Sequence, residues 1–500
     1  MKKPNIIFIF SDQHRKASMG FWQNEEYKKH IKGEPDPVVT PNLDALAKDG
    51  VVLSEAYSSY PVCSPFRAML FSGKYPENNG VWNNCAPGRL DALKEDLDSL
   101  TDVLSDSGYS VGYVGKWHLE EPRPDFDAEG NYIGDKEDYE GERFFPDGSP
   151  DSNTACWDTL IRSGRQRKID YLYAYNTWDV FRTKEGGNKL KAPHYWDKDH
   201  NRITVPPNIW SPEFETDLAL DFIRNEKGER DGEKPYALFV SYNPPHLPYS
   251  SREDTDYTAY DNIYSAANQP DISALIKREN VTIGDAKFHE KVRVYFSHVT
   301  GIDSCVGRIL DGLEKSGEKN DTIVVFTADH GEMLGSHGLM SKNVPYEEAT
   351  AIPFIISYPK MLEHKTDDLF MTGADIMPTL LGLIGADIPR DVEGSDYSAL
   401  LKGEDGERPR SALFTQPKRK GVRTSKYLLT ISYGDKDNYT APELYDLEKD
   451  PYQMNKIAFD SIPEEDLLLL RKELGEKLKI SKDPWYKMKL YADFIIYPEE

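Results

Sequence analysis

A cysteine, a proline and an arginine stand within five residues of one another at Cys63, Pro65 and Arg67. Proline suits the first turn of a helix, and the apolar run that follows it ends at Gly73, so the pattern predicts a helix that begins near the cysteine. The unpaired N–H groups and the dipole at a helix N-terminus favour negative charge, which suits an anionic nucleophile or an anionic substrate at Cys63. Arg67 lies one turn on, on the same helix face, so its guanidinium can reach back toward the group that Cys63 carries.

Four further groups of polar residues come directly after predicted strands: Asp12 with Gln13, Lys116 with His118, His246 alone, and Asp329 with His330. In an open parallel sheet, ligands bind outside the carboxyl ends of the strands, so these groups are expected to converge on one edge. The first and last groups supply carboxylate and amide oxygens with an imidazole, which is the ligand set of a divalent-cation site. The middle two supply positive charge and proton donors.

The elements that must position these residues alternate between strands and helices along the chain. Apolar runs of strand length predict buried strands at 5–10, 109–114, 236–240, 322–326 and 352–357. Capping residues and amphipathic spacing predict helices at 40–50, 101–107, 286–315 and 375–383, and another that opens at 211. This order predicts an α/β fold in which helices sandwich a large, mostly parallel sheet.

Two changes in pattern divide the chain. Periodicity is lost at 120–208, which predicts a loop-rich insertion on the substrate side of the sheet. The composition turns polar near residue 403, which predicts a catalytic domain at 1–403 and a small domain at 404–500. Short strand-like pieces and a charged helix at 464–480 predict that the small domain is α+β with an antiparallel sheet.

Composition excludes several classes of protein. The 500 residues carry a formal net charge of -24, which argues against nucleic acid and anionic membranes as partners. No run approaches the ~18 apolar residues of a membrane span. The four cysteines have no paired spacing, so we expect neither a disulfide framework nor a zinc site. The apolar run 6–10 is too short for a signal peptide, so the chain as given is expected to be cytoplasmic, or periplasmic or secreted if a signal has been removed.

The motif at 63–67 resembles the Cys/Ser-x-Pro-x-Arg signature of the type I sulfatases, which belong to the alkaline phosphatase superfamily. Further blocks at 9–13, 115–118, 243–248, 327–342 and 443–451 resemble sulfatase blocks in the family's order, so the resemblance spans nearly the whole chain. It implies a sulfuric ester hydrolase that releases inorganic sulfate. It also implies that a maturation enzyme converts Cys63 to formylglycine, whose hydrated aldehyde attacks sulfur with one hydroxyl and expels sulfate with the other.

The resemblance also implies a role for each matching residue. Asp12, Asp329 and His330 would bind a divalent cation together with residue 63, and the cation is expected to be calcium, with magnesium as the alternative. Gln13 stands where the family more often has a second aspartate, and its amide oxygen can still be a ligand. Arg67 and Lys116 would hold the diol and the sulfate oxygens. His118 would assist release of sulfate. His246 and Lys342 would favour departure of the alcohol.

Several interpretations stay open at this point. His337 is either a substrate-binding residue or a structural loop histidine. The basic residues 418–420 with Arg423 either contact substrate or form a solvated face. The expected substrate is a sulfated small molecule or glycan, and we favour a sulfated carbohydrate. Aromatic residues of the insertion either stack on sugar rings or pack in the core: Trp157, Trp178, Tyr195 and Trp196.

Two alternative functions remain. One is a phosphonate or phosphate ester hydrolase of the same superfamily, although the spacing of Lys116 and His118 favours sulfate. The other is a protein that keeps the fold and binds sulfated glycans without turnover, which the intact Cys63, Arg67 and metal residues disfavour.

Overall fold

The computed structural model describes residues 3–499 except for positions 87, 90, 135, 137–138, 147, 151–157, 179, 186–191, 269–270 and 434–441. The strands are β1 Asn5–Asp12, β2 Val51–Tyr57, β3 Ser110–Lys116, β4 Tyr171–Tyr175, β5 His194–Asp197, β6 Arg202–Thr204, β7 Tyr236–Pro245, β8 Thr322–Ala328, β9 Phe354–Ser357, β10 Lys365–Thr372, β11 Ala412–Gln416, β12 Arg419–Arg423, β13 Tyr427–Ser432 and β14 Glu443–Asp446. The α-helices are α1 Glu25–Lys28, α2 Pro41–Lys48, α3 Cys63–Ser72, α4 Pro76–Asn79, α5 Leu100–Asp106, α6 Ser211–Arg224, α7 Tyr257–Ala259, α8 Ser273–Ile276, α9 Ala286–Ser316, α10 Glu347–Thr350, α11 Gly373–Ile384, α12 Ser398–Leu401, α13 Glu464–Ile480 and α14 Pro484–Met488.

A ten-stranded sheet forms the centre of the molecule, in the order β10-β2-β9-β8-β1-β7-β3-β4-β5-β6. The four neighbours β8, β1, β7 and β3 run parallel. β9 is antiparallel to both of its neighbours, as are β5 and β6 to theirs. The predicted α/β class with a large sheet is therefore confirmed, and the carboxyl ends of the four central strands meet at one edge.

Helices cover both faces of this sheet because β1 is apolar on both sides. Phe8 and Phe10 belong to one core with α3 and α11, while Ile7 and Ile9 belong to a second core with α6 and α9. Alternate residues of a strand point to opposite faces, so a continuous apolar run needs cover on both. At ~25 cal/mol per Å² of apolar area removed from water, these two cores are the main stabilising contribution to the fold.

The insertion at 120–208 is more regular than its lost periodicity predicts. β4 pairs in parallel with β3, and β5 and β6 extend the same sheet. These strands are short and rich in tyrosine and tryptophan, so their sequence lacks the aliphatic run that marks the central strands. The insertion therefore widens the sheet as well as supplying loops.

A second sheet of four antiparallel strands, β11-β12-β13-β14, lies near the C-terminus, as predicted. Its Leu413 and Leu429 share a core with Leu470 of α13 and Met69 of α3. The helix that carries Cys63 therefore contributes to the hydrophobic core of the large sheet and also to the core of the second sheet. Because Met69 lies on α3, the second sheet packs close to the helix that begins at Cys63.

Within the part of the chain that the structure describes, no helix is both long and apolar enough to cross a membrane. Cys63, Cys85 and Cys305 are buried and free. Cys156 and Trp157 lie outside the described residues.

Candidate active site

Four buried side chains converge where β1 and β8 end. Asp12 is the last residue of β1, Cys63 is the first of α3, and Asp329 and His330 directly follow β8. One possible ligand atom from each of the four lies within 4.8 Å of the others. The residues come from three distant segments, and the parallel strand order brings them together.

Cys63 occupies the helix N-terminus that its sequence predicts. Val62 before it is extended, and α3 ends where Gly73 adopts a left-handed backbone with φ 63°. The Cys63 Sγ atom lies 3.5 Å from Asp12 Oδ1 and 3.3 Å from His330 Nε2. The reactive atom at position 63 therefore faces the carboxylate and imidazole ligands directly.

The orientation of His330 fits a bound cation. Its Nδ1 lies 2.9 Å from the Gly331 carbonyl oxygen, which can only accept, so Nδ1 carries the hydrogen. Burial lowers the pKa of His330, so the ring is neutral and Nε2 keeps its lone pair. That lone pair faces Asp12 Oδ1 at 3.6 Å and Asp329 Oδ1 at 3.5 Å. Three electron-rich atoms so close together favour a cation among them, and oxygen ligands with one imidazole suit a divalent metal.

Arg67 contacts both carboxylates of the cluster. Its guanidinium lies 3.2 Å from the carboxylates of Asp12 and Asp329, and it donates at 2.7 Å to the Lys116 carbonyl and the Ser241 hydroxyl. The side chain is fully buried. Because so many of its donors are used, Arg67 fixes the carboxylates and leaves little capacity to hold sulfate oxygens directly.

Lys116 ends β3 and is also fully buried. Its Nζ donates to Asp12 Oδ2 at 2.7 Å and to Asn243 Oδ1 at 3.1 Å. An ammonium has three N–H donors, so one remains for another acceptor. Lys116 can therefore hold Asp12 and contact an anionic substrate at the same time.

The two carboxylates differ in their affinity for protons. Burial raises the pKa of Asp12, but Lys116 and the other basic side chains of the site outweigh it and hold the pKa well below its ordinary value. Burial and the neighbouring Asp12 raise the pKa of Asp329 to about 7. Two like charges this close cannot both ionise freely without a cation, which is a second reason to expect one here.

His118 is buried beside this cluster. It follows β3 in a left-handed backbone conformation with φ 54°, and the Ser64 hydroxyl donates to its carbonyl at 2.6 Å. Among the described residues, neither ring nitrogen has a hydrogen-bond partner. Burial, with the charges of Lys116 and Arg67, lowers the pKa of His118 well below its ordinary value. A neutral, buried imidazole without a partner is costly unless a ligand completes it.

His246 and Lys342 are partly exposed and form the rim of the site. His246 Nδ1 lies 2.9 Å from the Leu247 carbonyl oxygen, which can only accept, so Nδ1 carries a hydrogen. Burial, together with Lys342 and Lys116, lowers the pKa of His246. Burial lowers the pKa of Lys342, but Cys63 and the carboxylates raise it more, so it keeps its charge.

Gln13 lies next to the cation cluster. Its backbone is left-handed with φ 66°, and its N–H donates to Asp329 Oδ1 at 3.0 Å. The side-chain amide donates from Nε2 to Glu332 and accepts at Oε1 from Lys342. Its assignment as a metal ligand stays a prediction.

His337 packs its ring flat on Tyr346, with centroids 3.9 Å apart and planes 11° apart. Its backbone N–H donates to the Asn280 carbonyl at 2.6 Å. The stacking gives the ring a structural role. A substrate contact from Nε2, which has no partner among the described residues, stays a prediction.

Sequence reasoning missed two residues that hold the site together. Ser241 accepts from Arg67, and Asn243 accepts from Lys116 while its own amide donates to the Trp178 carbonyl at 2.8 Å. Both lie on β7, which runs five residues past its predicted end at 240. Asn243 opens a block that resembles the family, and that position was the available signal.

Other residues that the sequence offers as substrate contacts are paired with side chains inside the protein. Lys420 is buried against Asp483, and Arg423 is buried against Glu347, so neither forms a solvated face or contacts substrate. Tyr195 donates to Glu215 at 2.8 Å, and Trp196 donates to Asp158 at 3.2 Å. Trp178 stacks on Tyr175 with centroids 3.8 Å apart. The described aromatics of the insertion therefore pack in the core.

Comparison with known proteins gives matches over nearly the whole chain. Residues 4–386 match the model of the sulfatase family, and residues 335–481 match a model described as N-sulphoglucosamine sulphohydrolase, C-terminal. The chain is 35% identical to an endo-4-O-sulfatase of Bacteroides thetaiotaomicron, over 99% of this chain and 95% of that protein. A solved structure from work on the metabolism of multiple glycosaminoglycans by the same organism superposes with a TM-score of 0.87 and 34% identity, over 99% of this chain and 100% of that one.

The alternative chemistry has a more distant counterpart. A phosphonate monoester hydrolase of Agrobacterium radiobacter superposes with a TM-score of 0.63 at 21% identity, over 99% of this chain and 96% of that one. At this identity the likeness is one of fold alone.

Proposed function

The chain belongs to the sulfatase family and is a sulfuric ester hydrolase, and from that premise we propose that it removes 4-O-sulfate from within a glycosaminoglycan-like chain. The name of the endo-4-O-sulfatase and the glycosaminoglycan context of the superposed structure support this substrate class. The single observation that carries the reaction is the buried group formed by Asp12, Cys63, Asp329 and His330 at a helix N-terminus.

We infer that Cys63 acts after conversion to formylglycine by a maturation enzyme, which supplies an aldehyde hydrate as the nucleophile. Asp12, Asp329 and His330 would hold a divalent cation with residue 63, and Gln13 would add its amide oxygen. Calcium is the proposed metal because the set is dominated by hard oxygen ligands. When bound, this cation lowers the pKa of the attacking hydroxyl and neutralises charge on the sulfuryl group.

The chain's own cations prepare the site for an anion. Arg67 holds the two carboxylates in place, so that their oxygens face residue 63. Lys116 and Lys342 keep positive charge beside them, which attracts a sulfate despite the net charge of -24. This preorganised charge stabilises the developing negative charge of the transition state.

The histidines divide the proton transfers. His118 is neutral because burial and nearby cations lower its pKa, so it can accept a proton from the group at residue 63 as sulfate leaves. Lys342 and His246 form the rim, where positive charge or a proton favours departure of the sugar alkoxide. This assignment gives Arg67, Lys116, His118, His246 and Lys342 distinct roles.

A desulfation screen tests the proposal. Defined glycosaminoglycan oligosaccharides with sulfate at O2, O4 or O6, at the chain end or in the interior, are incubated with matured protein, and released sulfate is measured by ion chromatography. We expect release from internal 4-O-sulfate. Release from other positions only would contradict the substrate assignment, and turnover of a phosphonate monoester in place of any sulfate would support the alternative.

A further inference from the structure

The proposed metal site contains one ligand that can face the wrong way. A carboxylate presents an oxygen in either orientation, whereas the amide of Gln13 presents an oxygen in one and an NH₂ group in the other. An NH₂ group directed at a cation is repulsive. Something in the protein must therefore fix the rotation of this amide.

Glu332 is in the right place to do so. It is fully buried, two residues after His330, and its Oε2 accepts from Gln13 Nε2. Its Oε1 accepts from the backbone N–H groups of Leu334 at 2.9 Å and Ser341 at 2.5 Å. Both oxygens of Glu332 are thus acceptors, and the group facing them must be a donor.

The other end of the same amide is fixed by a donor. Gln13 Oε1 accepts from the ammonium of Lys342, which cannot accept in return. With an acceptor at one end and a donor at the other, only one amide orientation satisfies both. The Gln13 backbone is also fixed, because its carbonyl accepts from the Tyr295 hydroxyl at 2.7 Å and its N–H donates to Asp329 at 3.0 Å.

We propose that Glu332 is a positioning residue for the cation site: by accepting from Nε2 it holds the NH₂ group of Gln13, so that Oε1 is the amide atom that a cation would meet. This inference rests on the cation assigned above. It also explains why a glutamine can stand where the family more often has an aspartate, because an aspartate needs no orienting partner.

The pairing makes a prediction that simple support of the loop does not. With glutamine at position 13, loss of the Glu332 charge frees the amide to rotate and weakens metal binding. With aspartate at position 13, both terminal atoms are oxygens, so Glu332 has nothing to orient and its negative charge repels the new carboxylate. The effect of the same substitution at Glu332 should therefore change sign with the residue at position 13.

The test is to remove metal from the full chain with a chelator and to measure the Kd for calcium by titration calorimetry. Glu332→Gln in the native background should weaken calcium binding by about 10- to 100-fold, as is typical for partners of metal ligands. In a Gln13→Asp background, the same substitution should leave the Kd within about threefold or lower it. Glu348→Gln is the matched control, because Glu348 is a buried carboxylate on α10 that accepts from Asn280.

The outcomes separate the two proposals. An equal loss of affinity in both backgrounds, or no loss in the native background, would overturn the role of Glu332 while leaving the metal site intact. Absence of calcium binding by the native chain would overturn the metal assignment and this inference together. If Glu332→Gln alone does not fold, the comparison of Gln13→Asp with Gln13→Asp/Glu332→Gln still gives the predicted sign.

Discussion

At the edge of the large sheet, Asp12 and Asp329 lie between Arg67 and Lys116, whereas at the contact with the small domain two carboxylates share a single lysine. That second pair is Glu77 of α4 and Asp483, which precedes α14. Lys420 pairs with Asp483, lies 3.8 Å from Glu77 and packs over the ring of Trp82.

The difference lies in how each region compensates the negative charge. At the sheet edge Arg67 and Lys116 offset the two carboxylates only in part, since the pKa of Asp329 stays raised to about 7, and a partly exposed rim gives a ligand access. At the domain contact Glu77 and Asp483 both lie beside Lys420, and burial together with the neighbouring Asp483 raises the pKa of Glu77 to about 9. The first region is built to bind a cation and an anion, and the second compensates by holding a proton.

The largest expected effect is at the nucleophile. Cys63→Ala should lower turnover by at least about 10⁴-fold, because no aldehyde can form at alanine, while thermal unfolding changes little. Sulfate release and the melting temperature are measured on the same preparation. Cys305→Ala is the control, since Cys305 is also buried and free but lies on α9. Sustained turnover by Cys63→Ala would rule out the mechanism.

Removal of the metal should have the second-largest effect on the rate. Chelation of the native protein should reduce the rate by about 10³-fold, since a Lewis acid contributes several kcal/mol to the transition state. Calcium should restore the rate better than zinc, because zinc prefers nitrogen and sulfur ligands. A rate indifferent to chelator over prolonged dialysis would argue against the cation.

Removal of the lysine from each region should separate rate from stability. Lys116→Met should lower kcat by about 10²-fold through loss of charge beside the reacting group. Lys420→Met should leave kcat unchanged and lower the free energy of unfolding by about 3–5 kcal/mol, because the buried Asp483 carboxylate loses its ammonium partner. Denaturant unfolding and steady-state kinetics on both variants check this. The comparison fails if Lys420→Met lowers kcat more than Lys116→Met does.

The last prediction concerns the dependence of stability on pH. The pKa of Glu77 is raised from its ordinary 4.5 to about 9 on folding, so between these values the folded state binds a proton that the unfolded state has lost. Stability must therefore fall as pH rises through this window, by at most about 1.4 kcal/mol per pH unit from this group. Glu77→Gln should be more stable than the native protein at pH 9 and similar to it near pH 5. Parallel stability curves for the two proteins would contradict the buried proton.

Much of this architecture follows from local pattern. The apolar run of β1, the proline and glycine that bound α3, and the charged helix α13 are visible in sequence because each follows the period of its own element. The roles of Asp12, Cys63, Asp329 and His330 are inferred from motif position, and their meeting follows from the rule that parallel strands end at one edge. Neither inference requires knowledge of a distant partner.

What sequence left undetermined depends on pairing between distant segments. The strands of the insertion, the antiparallel course of β9 and the burial of Lys420 and Arg423 are set by neighbours far along the chain. A basic residue has the same local signature whether it faces solvent or a buried carboxylate, so the run at 418–420 could not be interpreted from its own neighbourhood.

The sequence by itself determined which residues are available for chemistry and which strand ends carry them, because both are encoded in residue type and short-range spacing. Only the tertiary structure decided which hydrogen-bonding groups are already used: Arg67 pairs with two carboxylates, the His118 ring has no partner in the described part of the chain, and the Gln13 amide is held by Glu332. These hydrogen bonds join residues that are up to hundreds of positions apart in the sequence, so their partners and directions are set only when the chain has folded.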